Sequence, residues 1–205
     1  MRRAAQWALL SSGCAPVLLV GGWTIAQFLQ GPGYDPVTQT ISVLAAYGAP
    51  GYWVMTGILI ALGSCYLATA LGLRAAALAG RAALGCGGVA AMLLTAFPAP
   101  TRGGAFGHGA VVTVGFALLA VWPILAADRR GAAPWGLRPT VSIVASALMV
   151  AGATWFLVEL QSRGAAGIAE RALTFTQSLW PLLVVTSCLR HPGHDEPLSW
   201  FSRRA

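Results

Sequence analysis

Residues 53–73 read WVMTGILIALGSCYLATALGL, without one charged side chain, and stop at Arg74. About 20 such residues are what a helix needs to cross the hydrocarbon core of a bilayer. The same reading extends outward along the chain. Apolar stretches of similar length run from Trp7 to Phe28, Leu78 to Phe97, Phe106 to Ala127, Val141 to Leu160 and Ile168 to Leu189. Of the 205 residues, 57% are hydrophobic and 9% are charged, whereas a soluble domain carries about 25% charged residues. The polar surface that would cover a water-soluble globule is missing, which excludes an ordinary cytosolic enzyme. Disorder is excluded by the same figures, because disordered chains are poor in apolar residues.

The expected fold class is therefore all-α: a polytopic, multi-pass membrane bundle of six transmembrane helices over residues 1–190, followed by a tail over residues 191–205. The first stretch is too long for a removed signal peptide, and no small-residue cleavage site follows a short core. All 13 basic residues are arginines. Without lysine there is no Schiff-base chemistry on a lysine amine. Arg102, Arg163 and Arg171 flank one set of span ends, and the other ten arginines, Arg74, Arg81 and Arg138 among them, flank the opposite set. That asymmetry places both termini in the cytoplasm of a cell-membrane protein. It also accounts for the formal charge of +7 without a nucleic-acid partner, which would need a contiguous basic face.

Cys14, Cys65, Cys86 and Cys188 fall within spans with no paired spacing, so they read as buried, inert thiols. No metal and no cofactor is expected. His191 and His194 lie in a Pro-Gly-containing tail, a poor scaffold for a metal site. Small residues at four-residue spacing, Gly57 and Ala61 on the second span and Ala83, Gly87 and Ala91 on the third, predict a tight hairpin. Pro123 and Pro181 predict kinks.

The most structured polar stretch is the loop after the first span, Gly33-Tyr34-Asp35-Pro36-Val37-Thr38-Gln39-Thr40-Ile41-Ser42. Asp followed by Pro is a helix start, so a short interfacial or re-entrant helix is expected from Pro36 to about Ala46. Glu159 stands about 27 Å along its helix from Val141 at 1.5 Å per residue. There it shares a layer with Gln27, His108, Glu170 and Arg171, with Asp35 above. Glu170, Thr174, Gln177 and Pro181 form a polar stripe descending one helix face, which belongs toward the bundle interior rather than toward lipid. Trp155 sits four residues before Glu159 and Trp23 four before Gln27, an indole one turn below each polar group; Trp180 lies deeper still. The same residues also have plain structural readings: Asp35 and His108 as caps, Glu170 with Arg171 as a solvated pair, Arg102 and Arg163 snorkelling to headgroups.

Gln39-Thr40-Ile41-Ser42 after the first span, Phe97-Pro98 closing the third, His108 opening the fourth, and Gly167 with Glu170-Arg171 opening the sixth resemble the bacterial six-helix membrane family known as domain of unknown function 998. The resemblance covers nearly the whole chain and implies the six-span topology. In size and helix count the chain is also similar to small membrane-bound terpene cyclases, whose motifs it does not share.

An acid beside an indole in a water-poor pocket favours its protonated form, and aromatic faces stabilise cations. The expected function is therefore a membrane-embedded enzyme acting on an isoprenoid or similar lipid by acid-base chemistry, such as protonation-initiated cyclisation. Glu159 or Glu170 would be the acid, with Asp35 the alternative and His108 a partner or final base. Trp23, Trp155 and Trp180 would line the pocket, with Gln27, Gln39, Thr174, Gln177 and Arg171 contacting substrate. The alternative is a non-catalytic lipid-binding, transport or regulatory protein. The expected partners under both readings are a lipid-like molecule and membrane lipids.

Overall fold

The computed structural model describes residues 5–100, 106–129 and 133–191. They form seven α-helices: α1 (Gln6–Phe28), α2 (Ile41–Leu44), α3 (Tyr52–Gly72), α4 (Leu78–Leu93), α5 (Phe106–Ala126), α6 (Pro139–Ser162) and α7 (Ala166–Leu189), with a 3-10 turn over Trp135–Leu137 before α6. Among the described residues there is no strand. Arg102 and residues 192–205, including most of the expected tail, lie outside the described residues.

Five helices, α1, α3, α5, α6 and α7, are long and apolar enough to cross a membrane. Their outward sides stay apolar: Leu10, Val17, Leu71 and Leu148 are between 63% and 71% exposed. Apolar surface spread over every long helix is unsuited to water and suits contact with membrane lipid. This is a helical membrane bundle.

The remaining long element differs from expectation. α4 has 16 residues and ends at Leu93 rather than Phe97. The last turn tightens, with Thr95 N donating to Met92 O (3.0 Å) and Ala96 N to Leu93 O (3.0 Å). Pro98 then disfavours helical backbone at Phe97. At about 1.5 Å per residue α4 is some 24 Å long, shorter than the other five. α5 and α7 run continuously through Pro123 and Pro181.

The six long helices close a ring: α1 packs on α3, α3 on α4, α4 on α5, α5 on α6, α6 on α7 and α7 back on α1. The α3–α4 hairpin is tight, as the small-residue stripes predicted, but different glycines make it so. A methyl group on Gly63 would overlap Gly88 O, and one on Gly88 would lie 2.7 Å from Gly63 O. Gly57 has open space around it, and Gly87 faces Leu119 of α5. Arg81, in the first turn of α4, fastens the hairpin by donating from Nε to Ala70 O (2.7 Å) and from a terminal nitrogen to Leu71 O (3.2 Å), meeting carbonyls that the end of α3 leaves free. The four cysteines are unpaired. Only Cys188 is buried, and Cys86 is exposed, because α4 turns that side outward from the ring.

The loop after α1 also departs from the expected continuous helix. Residues 36–39 make one turn, closed by Gln39 N donating to Asp35 O (2.8 Å). Thr40 is extended (φ −72°, ψ 161°) and a separate four-residue α2 follows. The carbonyls that a continuous helix needs are engaged elsewhere. Val37 O accepts from Gly167 N (2.9 Å) and Ile168 N (3.2 Å) at the start of α7, and Pro36 O and Gln39 O accept from Arg171.

Candidate functional site

Glu170 and Arg171, adjacent in the first turns of α7, hold successive halves of this loop. The Arg171 guanidinium donates to Pro36 O (3.0 Å), Gln39 O (3.2 Å), Gly167 O (2.9 Å) and Tyr34 Oη (2.6 Å), and its centre lies 5.9 Å from the centroid of the Trp23 ring. A fork of several fixed donors is what arginine offers and lysine does not. Gly167 lets the loop come this close: a Cβ there would overlap Gln39 O and Pro36 O. Glu170 is buried. Its Oε2 accepts from Ile41 N and its Oε1 from Ser42 Oγ (3.2 Å). A carboxylate from another helix thus meets the free amide that opens α2, a role usually taken by a local cap residue.

Outside the spans, Asp35 caps the 36–39 turn. Its Oδ2 accepts from Thr38 Oγ1 (2.7 Å) and its Oδ1 from Val37 N (3.0 Å). These bonds, the Thr38 hydroxyl first, hold its pKa below the ordinary carboxylate value. Burial pushes the Tyr34 phenol up, partly offset by Arg171. Asp35 N donates to Gln39 Oε1 (3.2 Å), so Gln39 also serves the loop.

Beneath α2, inside the ring, lies a cavity of about 90 Å³. Its walls come from α1 (Leu19), α3 (Met55, Leu62, Tyr66), α4 (Gly87, Ala90), α5 (His108, Phe116, Leu119) and α7 (Glu170, Thr174, Gln177), with Ile41 and Ser42 of α2 above. α6 contributes nothing to it. The polar stripe expected on α7 therefore does face inward. Thr174 Oγ1 donates to Glu170 O (2.7 Å) and Gln177 Nε2 to Phe116 O (3.1 Å). His108, at the start of α5, turns Nδ1 to Phe97 O (2.8 Å).

Of the residues proposed from sequence, Glu170, His108, Thr174 and Gln177 meet at this cavity; the others do not. Glu159 sits on α6 and folds back on the α6–α7 turn, accepting from Trp155 Nε1 (3.1 Å) and Ala165 N (2.7 Å). The indole below it thus hydrogen-bonds the carboxylate outside the ring. Glu159 and Glu170, expected in one layer, do not meet at the cavity, because Glu159 is held on the α6–α7 turn and Glu170 on α2. Trp180 packs edge-to-face on Trp135 (6.3 Å between centroids), Trp23 lies under Arg171, and neither lines the cavity; nor does Gln27 or Asp35. Arg163 is exposed and ends α6 with a left-handed backbone (φ 55°). The wall residues Tyr66, Met55 and Phe116 were missed because nothing in their apolar surroundings distinguishes an inward from an outward position. Tyr34 could have been found, since a phenol beside Asp-Pro in an otherwise small-residue loop has few partners other than a nearby cation.

A closed ring of apolar helices around a cavity polar beneath the α2 loop defines an integral membrane protein of the helical-bundle class. Residues 13–187 match the family described as Protein of unknown function (DUF998), and the chain belongs to that family. No curated protein and no solved structure matches it.

Proposed function

We propose that this membrane protein binds a lipid-soluble molecule in the cavity, with its polar end near Ser42, Glu170 and Gln177 and its hydrocarbon part along Leu19, Leu62, Tyr66 and Leu119. One observation carries the reading: a hollow walled by five long helices keeps its charged and amide groups on a single helix, α7, and is otherwise lined mainly by apolar side chains. Pockets for small molecules are built this way, mostly apolar with a few placed polar groups that fix orientation. About 90 Å³ is room for roughly three waters at about 30 Å³ each, or for part of a hydrocarbon chain. The rest of a longer isoprenoid would leave the ring between helices.

Acid-initiated cyclisation of an isoprenoid is the finer reading that the sequence suggested. The geometry supports binding better. The tryptophans that would face a carbocation stand outside the cavity, and the carboxylate of Glu170 is engaged in holding α2. The test is extraction of the purified protein with organic solvent and mass spectrometry of what is released, compared with a variant at Ala91, a further wall residue on α4, in which Ala91→Phe fills the cavity. A species released by wild type and absent from the folded variant is expected. Equal release from both sinks the reading.

A further inference from the structure

We propose that the molecule held in this cavity is a neutral alcohol, whose hydroxyl donates its hydrogen to Gln177 Oε1. The inference rests on the cavity-binding reading above and names the chemistry of its ligand. Gln177 is 1% exposed. Its amide orientation is fixed, because Phe116 O can only accept and so must face Nε2 (3.1 Å). That leaves Oε1, on a residue of the cavity wall, buried and without a hydrogen-bond partner among the described residues. A buried acceptor in that condition calls for a missing donor.

The other polar groups of the wall point the same way. Ser42 Oγ donates to Glu170 Oε1 and Thr174 Oγ1 to Glu170 O, so both hydroxyl hydrogens are directed into the protein. His108 faces Phe97 O with Nδ1. The carbonyl requires the proton on that nitrogen, which leaves Nε2 of the neutral ring as an acceptor. Tyr66 can turn its phenol either way. The wall thus offers one buried acceptor, Gln177 Oε1, without a donor among the described residues, while its own donors are mostly engaged.

This pattern selects among lipids. A carboxylate or phosphate brings acceptors only, and would set negative charge beside Glu170 and an unpartnered amide oxygen. Arg171, the cation nearest in sequence, has its guanidinium on Pro36, Gln39 and Tyr34 and is not a wall residue. An ether or ester supplies no hydrogen. An ammonium supplies hydrogens but must leave water for a mostly apolar hollow whose carboxylate already accepts from Ile41 and Ser42. A hydroxyl supplies the hydrogen without the charge, and its oxygen can accept from Tyr66.

The test is binding of tritiated geraniol to the purified full-length protein in detergent, with competition by geraniol, its C20 homologue geranylgeraniol, geranyl methyl ether, geranic acid and geranylamine. The alcohols are expected to bind saturably, with ether and acid at least about tenfold weaker, the scale of one hydrogen bond to a buried acceptor. Gln177→Met, similar in shape but without the amide oxygen, is expected to abolish the alcohol's advantage, so that alcohol and ether bind the variant equally. Equal competition by alcohol and ether overturns the hydroxyl assignment while cavity binding stands. Tightest binding by the amine or the acid overturns it in favour of a charged ligand. No saturable binding of either alcohol removes the cavity-binding reading with it. If Gln177→Met fails to fold, the ligand series on the wild-type protein decides alone.

Discussion

Ser42 Oγ donates to Glu170 Oε1 across 3.2 Å and 128 positions of sequence. With the neighbouring bond from Ile41 N, it fixes α2 to the first turns of α7 and closes the cavity from above. A four-residue helix has no stability of its own, because nucleation is unfavourable and too few bonds follow. α2 therefore persists through what Glu170 provides.

Removing that carboxylate tests the dependence. Glu170→Ala leaves Ile41 N buried without an acceptor, which costs about 1–3 kcal/mol. The expected result is a melting temperature lower by several degrees, at roughly 2–4 °C per kcal/mol for a chain of this size, with faster proteolysis within residues 30–50. Glu170→Gln keeps one oxygen and is expected to lose less. An Ala variant with unchanged melting and unchanged cleavage would show that α2 holds by packing of Ile41 and Leu44 alone.

Arg171→Lys separates charge from geometry. Lysine keeps the positive charge, but one ammonium cannot reach Pro36 O, Gln39 O, Gly167 O and Tyr34 Oη together, as the guanidinium does. Hydrogen bonds to charged groups contribute about 1.5–3 kcal/mol each, so losing two or more is expected to release the 34–39 segment. Amide exchange at Gln39 and Gly167 would rise, while bonds within α3 and α4 keep their protection. Full protection in the Lys variant would mean that charge alone orders the loop.

How far these arrangements were legible in sequence depends on what encodes them. The helices were legible because apolar length is a local property, and Trp53 to Leu73 against the observed Tyr52–Gly72 shows how closely. The inward stripe of Glu170, Thr174 and Gln177 was legible because four-residue spacing on one helix fixes a common face. That Glu159 and Glu170 do not meet was not legible: α6 and α7 are neighbours, and what separates the two carboxylates is that Glu159 turns to the α6–α7 turn while Glu170 turns to α2. The interrupted helix at Thr40 escaped for a related reason: local signals from Asp35-Pro36 favour continuation, and the carbonyls that oppose it are taken by Arg171, more than 130 residues away. Gly63 and Gly88 were hidden among 25 glycines, because small-residue spacing names a stripe without naming its facing partner.

Asp35 supplies a pH dependence. Its native pKa is held below the ordinary carboxylate value by Thr38 Oγ1 and Val37 N, so its contribution to the turn is full above the unfolded value near 3.9 and is lost as pH falls through the lower native value. Exchange of the Val37 amide, corrected for intrinsic rate, is expected to show constant protection from pH 7 to about 4 and a decline below. In Asp35→Asn the Oδ1 acceptor remains but does not titrate, so the decline is expected to vanish. A decline that persists in the Asn variant would assign it to another group.

The α3–α4 contact gives the sharpest steric test. Where Gly63 and Gly88 meet, the nearest atom in the way of an added methyl group is backbone: Gly88 O in one direction and Gly63 O in the other. A carbonyl in a hydrogen-bonded helix cannot rotate aside as the end of a side chain can, so the helices must separate. Gly63→Ala and Gly88→Ala are each expected to destabilise the bundle by about 1–3 kcal/mol, the usual range for overpacking, read as a lower melting temperature in detergent. Gly57→Ala, with nothing within 4 Å of the added methyl group, is expected to be neutral or slightly stabilising, since alanine favours helix by up to about 1 kcal/mol. Together the three variants separate close approach from helix propensity. If all three shift melting in the same direction by the same amount, the backbone contact between the two glycines is not what sets the spacing of α3 and α4.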